Sequence, residues 1–578
     1  MKYFTKTLFI FSLLLTISAS AFAASEAEYQ KLAKSWTLHA DGSQEFRCNM
    51  ELTLFTHTAM NSTYGESFIV YNPEYQTLTI NASYTKQKDG NIVKTPANAF
   101  VEVLPAKAAN APAYNGLKEM VVVHTGLELG ATIYLDYTIT TKAGYLPELD
   151  ICESIEQSSP VKECSLTISV PEAKKLNYQL TGLKGEPAIA TSDGRQTYTW
   201  TLRNVKAMSR LTDIYHLDAP ILAANTYAST QAMAQVLTDQ MQTGPSRSVL
   251  ETLAKDITKD ASTDVDKLKA IYGYIQNSYA HIPLELSVCG YRLRPTEEVI
   301  RSAYGTEAEL INVFQGLLNA TGIKADVCAV FPQTDATGMG LKPVTIYLRT
   351  KTDGQEQLLA STAATSQKAL LLRQYCPALN LGTGSIEEPQ PRRTPISYRA
   401  DLTLQDEKLS VKAEAEVADF FLDIEGKTAQ SIIAGDKEAQ TKTADASTVF
   451  SYSGEEPIEK AGDYLILSLP DYPFSAVHHT SISESDRDIL LTLPAAFDET
   501  YTYQVHLGGK TLCTPATDLK LDNPAGCVEI SIHAEADGAN VKRTLKLNKS
   551  RITPKEYPAY TELMKAWGDP NYTQLLVK

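Results

Sequence analysis

The sequence predicts a multidomain, β-rich chain: an N-terminal antiparallel β-sandwich, a central α+β core and a C-terminal β-sandwich-like region. Three observations carry that prediction. At 578 residues the chain is too long for one hydrophobic core and suggests about three domains. Two long stretches, 36–217 and 398–547, alternate apolar and polar residues in short runs bounded by turn residues, the period-two signature of half-buried strands. Between them apolar residues fall at helical spacing and culminate in a mostly apolar run with a glycine beyond each end.

The first 23 residues read as a secretory signal peptide. Lys2 and Lys6 precede the apolar run 8–17, and Ala21-Phe22-Ala23 fits the small-x-small cleavage pattern. That run is too short to span a bilayer comfortably, and no cysteine follows it to accept a lipid. No later segment approaches the ~18 uninterrupted apolar residues of a membrane helix. The expectation is an exported protein, periplasmic or secreted, without a transmembrane segment. Losing Lys2 and Lys6 takes the formal charge from −15 to −17. No basic cluster stands against that acidity, so nucleic acid is not an expected partner. Eight cysteines in an oxidising compartment are candidate disulfides, and short spacings favour Cys152 with Cys164 and Cys513 with Cys527. No Cys/His spacing suggests a metal, and no cofactor is expected. His478-His479 reads as a solvent-facing pair in a loop, and the chain is expected to be a monomer.

Residues 24–224 are the predicted sandwich. Strands are read at Glu51-Leu52-Thr53-Leu54-Phe55, Thr77-Leu78-Thr79-Ile80, Met120-Val121-Val122-Val123 and Thr132-Ile133-Tyr134-Leu135-Asp136-Tyr137, with Asp89-Gly90 and Asp193-Gly194 as turns. Residues 225–385 are the α+β core. It opens on a polar helical connector, 225–258, followed by an amphipathic helix that Thr263 and Asp266 begin. Its Val265, Leu268, Ile271, Tyr274 and Ile275 share one face. Residues 386–578 are the second β-rich region, introduced by the Pro- and Glu-containing linker 387–395, with strands at 398–404, 409–415, 464–469, 528–533 and 543–547. The 30 tyrosines exceed the usual share for this length. Strand propensity and sandwich packing explain them more simply than an exposed binding surface does.

Within the core, Tyr304-Gly305-Thr306-Glu307-Ala308-Glu309 leads into the apolar run 310–318 and then Thr321-Gly322-Ile323. A helix starts abruptly after one glycine and ends at another. Its N-terminus leaves four N–H groups unpaired and carries about half a positive charge. Thr306 is the expected N-cap, and Glu307 and Glu309 fill the first turn, where a carboxylate gains roughly 0.3–1 kcal/mol. From Gly305 to Ile323 the stretch resembles, without gaps, the nucleophile helix of transglutaminase-like cysteine enzymes, which have a papain-like α+β core. In that family the second residue after the turn glycine is the catalytic cysteine, whose thiol the helix end activates. Here it is Glu307.

The resemblance implies a histidine on a later strand and an aspartate on the next. The counterpart strands are 341–348 and, after the Asp353-Gly354 turn, 358–362, which puts Pro343 and Ala360 at those positions. No histidine lies between His281 and His478, so no imidazole can come from this core after the helix. All three roles of the triad are vacant. The resemblance extends to the β-rich domain of unknown function that precedes this core in a group of secreted bacterial proteins, through Tyr71-Asn72-Pro73, Ala113-Tyr114-Asn115-Gly116-Leu117-Lys118 and Leu127-Glu128-Leu129-Gly130. At the C-terminus Ile552-Thr553-Pro554-Lys555-Glu556-Tyr557 matches the same group.

Two function classes follow. In the first the chain is an exported pseudoenzyme whose cleft binds or scaffolds a peptide, cell-wall fragment or glycan, with Glu307, Tyr304 and Tyr291 as contacts. In the second it is an active hydrolase or acyl transferase, of peptidase or amidase type, using Glu307 or Cys289 instead. Cys289 with His281 is the remaining thiol–imidazole pair, whereas Cys328, in the strand-like 325–330, is expected to be buried or disulfide-bonded. The first class is the expected one.

Overall fold

Strict period-two burial runs along the N-terminal strands. In Val161–Pro171, Leu166, Ile168 and Val170 are buried while Thr167 and Ser169 between them stay partly exposed. The computed structural model describes residues 25–209, 217–241, 244–392, 394–419, 440–444, 447–472, 475–479 and 487–578; the predicted signal peptide lies outside them. Eight strands make one sheet, in the order Ala188–Ser192, Arg195–Val205, Val161–Pro171, Ala27–Leu38, Gln44–Leu54, Thr132–Thr141, Gln76–Lys86 and Ile92–Lys94. All neighbours are antiparallel except Ala27–Leu38 with Val161–Pro171.

A three-stranded sheet, Asn177–Leu180, Ile221–Asn225 and Asp150–Ser154, packs over this one. It serves two cores. Ile151, Leu222 and Ala224 join the sandwich interior with Leu52, Leu166 and Trp200, while Cys152, Ile221 and Ala223 join the central core. Successive side chains of a strand point to opposite faces, so one thin sheet can bond two bodies together. Each large apolar side chain fully buried this way contributes ~1.5–3 kcal/mol.

Among its described residues the central region has six α-helices: α1 (Thr230–Thr238), α2 (Arg247–Ile257), α3 (Asp264–Ser278), α4 (Thr296–Ser302), α5 (Glu307–Ala320) and α6 (Ala363–Arg373). Its five-stranded antiparallel sheet runs Gln355–Leu359, Thr345–Thr352, Ala325–Val330, Ala378–Asn380, Ile386–Glu387. Helix α5 is buried on nearly every side and therefore central. Its Leu310, Ile311, Val313, Phe314, Leu317 and Leu318 are buried, and it packs on α2, α3, α4 and the two strands Ala325–Val330 and Thr345–Thr352. The stretch 225–258 is not a polar connector. Ile221–Asn225 closes the small sheet, and α1 and α2 put Met233, Leu237, Leu250 and Ala254 into the core.

The C-terminal region repeats the N-terminal device. Its eight-stranded sheet is antiparallel apart from one central parallel pair, Thr394–Gln405 with Phe497–His506. Helices α7 (Ala476–His479) and α8 (Tyr557–Trp567) lie over it. Tyr398, Tyr472, Tyr501, Tyr503 and Tyr560 are fully buried, so here the tyrosines are packing residues. Among the described residues no helix is long and apolar enough to cross a membrane.

All eight cysteines are free, and neither expected bridge is formed. Cys152 faces the central core from the small sheet, whereas Cys164 faces the sandwich interior from the large one. Cys527 pairs with Asp522 and Lys546 in the large C-terminal sheet, while Cys513 donates its N–H to Leu576 O beside the terminal strand. Close spacing along the chain placed each pair on separate surfaces.

Candidate functional site

Helix α5 begins where a two-residue parallel ladder ends. Ala280 and His281 pair with Tyr304 and Gly305, and Ile282 N–H donates to Gly305 O at 2.8 Å. Thr306 is the N-cap in extended conformation, forming a capping box with Glu309, whose Oε2 accepts Thr306 N–H at 2.9 Å. That turn aims Glu307 into a cleft of about 260 Å³. The ladder sets His281 beside it.

Glu307 has both oxygens engaged. Oε1 accepts Ser361 N–H at 2.8 Å, and Oε2 accepts Ser361 Oγ–H at 2.8 Å and lies 3.2 Å from His281 Nε2. Ser361 is buried and sits between the end of Gln355–Leu359 and Thr362, the N-cap of α6. From α6, Lys368 reaches the same cleft. Partial burial pushes its ammonium pKa down, and the charge of Glu307 opposes that shift. Lys342, Val344, Thr345 and Glu285 also line it; among the described residues no thiol does. The arrangement offers both charge signs above an apolar floor of Leu284 and Ile346, but no sulfur nucleophile.

The three positions aligned to a triad are only partly brought together. Glu307 is in the cleft. Pro343 is half-buried and flanked by the lining residues Lys342 and Val344. Ala360 is fully buried, its N–H on Ser366 Oγ at 2.8 Å, and the next residue, Ser361, is the one that meets Glu307. The imidazole beside Glu307 comes from before the helix, where a search for a histidine after it could not find it. Cys289 does not pair with His281. It is largely buried beside Glu309 and Arg294, and desolvation, reinforced by Glu309, pushes its thiol pKa up to about 12. Burial likewise pushes up Cys328, inside the sheet.

Tyr291 and Tyr304 do not line the cleft. Tyr291 is buried, with its hydroxyl donating to Asp150 Oδ2 at 2.9 Å. The Tyr304 hydroxyl accepts Ala113 N–H at 2.9 Å, and Arg294 lies 4.5 Å from its ring centre. Both are struts against the N-terminal region. Sequence reasoning placed Glu309 in the first turn of the helix but missed what it and Asp150 hold. Glu309, fully buried, takes a two-pronged contact from Arg294 (3.1 and 3.0 Å) and the hydroxyl of Tyr114 at 2.8 Å. Asp150 Oδ2 also accepts from Leu341 N–H at 2.7 Å and Lys342 N–H at 3.0 Å, while Asn225 Nδ2 donates to the carbonyls of Gly338 and Met339 at 2.9 Å each. Burial raises the Asp150 pKa, and these donors oppose the rise. The small N-terminal sheet thus holds the loop that carries Lys342 to the cleft. No local pattern marks Asp150; Glu309 is legible as the Thr-x-x-Glu partner of Thr306, but its contacts with Arg294 and Tyr114 are not.

His478 is half-exposed, with Nε2 2.9 Å from Asp471 Oδ2, which raises its pKa. Among the described residues no cluster of three or more metal-ligating side chains occurs.

Residues 40–209 match the family DUF3857 and residues 464–577 the family DUF3858, each described as a domain of unknown function with a solved structure. No curated protein matches the chain. A solved structure, described as that of a putative protease from Parabacteroides distasonis, is similar at 38% identity with a TM-score of 0.73. The similarity covers 96% of this chain and 99% of that one.

Proposed function

The chain belongs to the same family as the Parabacteroides distasonis protein described as a putative protease, and from that premise we propose that its core is transglutaminase-like with the thiol chemistry lost. On this reading it is an exported binding module whose cleft holds a peptide, free or as part of a cell-wall fragment. Glu307 carries the proposal. A carboxylate at the helix end satisfies the same partial charge that would activate a cysteine, but it cannot form a thioester. Its partners Ser361 and His281 hold both oxygens in place. The walls present Lys342, Lys368, Glu285 and Glu307, a mixture that suits the charged side chains and termini of a peptide better than the neutral hydroxyls of a glycan.

The same contacts favour a second reading. Ser361 and His281 would hold Glu307 as a general base toward a water molecule, in an amidase or peptidase without a thiol. One experiment separates the two. Full-length mature protein is incubated with charged synthetic peptides and with peptidoglycan fragments, and both binding and cleavage are followed, with Glu307→Ala and Lys368→Ala alongside. The binding reading expects retention without cleavage, weakened in both variants, and no labelling of Cys289 by a thiol probe in the folded state. Turnover that disappears in Glu307→Ala would establish the hydrolase instead. Retention of neutral glycans alone would reassign the ligand. Export is checked by fractionation of the source cell, where a cytoplasmic pool of uncleaved chain is the contrary result.

A further inference from the structure

The C-terminal region holds a second concave site, separate from the cleft and built on other elements. Strands Phe497–His506 and Gly538–Leu547, helix α7 and the end of α8 enclose a pocket of about 260 Å³ lined by Asp471, Ser475, His478, Tyr501, Arg543 and Trp567. Its walls are rigidly wired. Trp567 Nε1–H donates to Ser475 Oγ at 3.3 Å, Ser475 Oγ–H to Glu499 Oε2 at 2.7 Å, and Ala476 N–H to Glu499 Oε1 at 2.6 Å. The Arg543 guanidinium lies 4.3 Å from the Trp567 ring centre and donates from Nη2 to the Trp567 carbonyl.

Two polar groups are left over. Arg543 is 3% exposed and Tyr501 1%, yet among the described residues Arg543 Nε–H has no hydrogen-bond partner, and the Tyr501 hydroxyl, drawn toward Glu499 and Ser475, makes no bond of full geometry. An unpaired buried donor costs ~1–3 kcal/mol, more when charged. Two under-satisfied donors lining one pocket are therefore an anomaly that a ligand would resolve. The nearby acids do not resolve it. Glu499 has its oxygens on Ser475 and Ala476, and Asp471 is engaged with His478 at the rim. The volume is far more than the ~30 Å³ of one bridging water.

We propose that this pocket binds a carboxylate, whose oxygens accept from Arg543 Nε–H and Tyr501 O–H while the Trp567 and Tyr501 rings flank its carbon frame. One free guanidinium N–H and one neutral hydroxyl match a single negative charge better than the double charge of a phosphate, especially with Glu499 behind Ser475. The carboxylate can be the C-terminus of a peptide or a small free acid, and the pocket has room for about one residue.

Calorimetric titration of the full-length protein tests this, with N-acetyl-Ala-Ala, its C-terminal amide and propionate as probes. The acid peptide or propionate is expected to bind, and whichever binds tighter identifies the source; the amide should bind at least about tenfold more weakly than the acid peptide. Arg543→Gln and Gly568→Leu should each weaken acid binding by at least about tenfold. Gly568 has φ −92°, so a side chain is tolerated there, and it would build toward Val477 at the pocket wall. If Arg543→Gln does not fold, Gly568→Leu decides. The proposal is overturned by equal binding of acid and amide, by no acid binding at ~10 mM, or by full affinity in Gly568→Leu.

Discussion

Glu499 and Glu307 are both glutamates held by serines, and their surroundings give them different work. Glu307 is partly open, beside an imidazole at a helix N-terminus. Glu499 is fully buried, and desolvation pushes its pKa from the ordinary 4.5 to about 7, although Ala476 N–H, Ser475, Tyr501 and Arg543 all favour its charged form. A carboxyl whose folded pKa is raised binds its proton more tightly in the folded chain. The resulting stability is fully present below about pH 4.5 and is lost as pH rises through about 7. The C-terminal region should therefore lose up to about 3 kcal/mol between pH 5 and pH 8. Glu499→Gln copies the protonated form and should flatten that slope, leaving stability at pH 5 nearly unchanged. Urea unfolding followed by fluorescence at several pH values checks it. An unchanged slope in the variant would assign the pH dependence elsewhere.

At the scale of elements, the small sheet Asn177–Leu180, Ile221–Asn225, Asp150–Ser154 does the positioning. Its Asp150 and Asn225 clamp the loop that ends at Lys342, and the loop comes so close that only glycine fits. A Cβ at Gly340 would stand 2.2 Å from Asp150 Oδ1, and one at Gly338, where φ is +73°, would stand 2.8 Å from Ala223 O. Gly340→Ala should cost about 1–3 kcal/mol through overpacking, and should weaken peptide retention in the cleft by displacing Lys342. Urea melts and the retention assay measure both. A variant as stable as the parent would mean that the loop yields freely. Elements of this kind are where sequence reading succeeds and stops. The alternation in Val161–Pro171 and the apolar run of α5 are legible because strand pleat and helix pitch repeat locally. The pairing of His281 with Gly305 is not, since nothing near residue 281 encodes a two-residue ladder to a segment 24 positions on. Ser361 was missed by one residue, because the expected strand 358–362 ends at Leu359 and the chain turns toward α6 before the aligned position is reached. Tyr291 and Tyr304 were mistaken for contacts because an aromatic buried between two regions has the same sequence signature as one at a surface.

Across the whole molecule, the two β-rich regions grip the central core from different sides. On the C-terminal side, Tyr375 donates to Leu493 O at 2.8 Å, Gln374 Nε2–H donates to Pro494 O, and one apolar cluster runs from Leu217 to Val577; Arg551 also reaches Asp218 of the N-terminal region. On the N-terminal side, the contact at the start of α5 is polar: Glu309 holds Arg294 and Tyr114 together, with Tyr304 bonded to Ala113. The helix whose end forms the cleft is thus also the helix that the N-terminal region holds, through the adjacent glutamate of the same turn. Breaking a buried charge pair leaves one charge stranded and costs about 3–5 kcal/mol, whereas losing a hydrogen bond to a charged group costs about 1.5–3 kcal/mol. Glu309→Gln should accordingly destabilise more than Tyr114→Phe. The two losses should not add, because the Tyr114 hydroxyl has its value only while Glu309 is charged. A double-mutant cycle by urea unfolding should give a coupling of at least about 0.5 kcal/mol. Tyr114→Phe alone should also weaken peptide retention at Glu307, since both glutamates ride on one helical turn. Additive losses with unchanged retention would show instead that the N-terminal region is attached to the cleft but does not shape it.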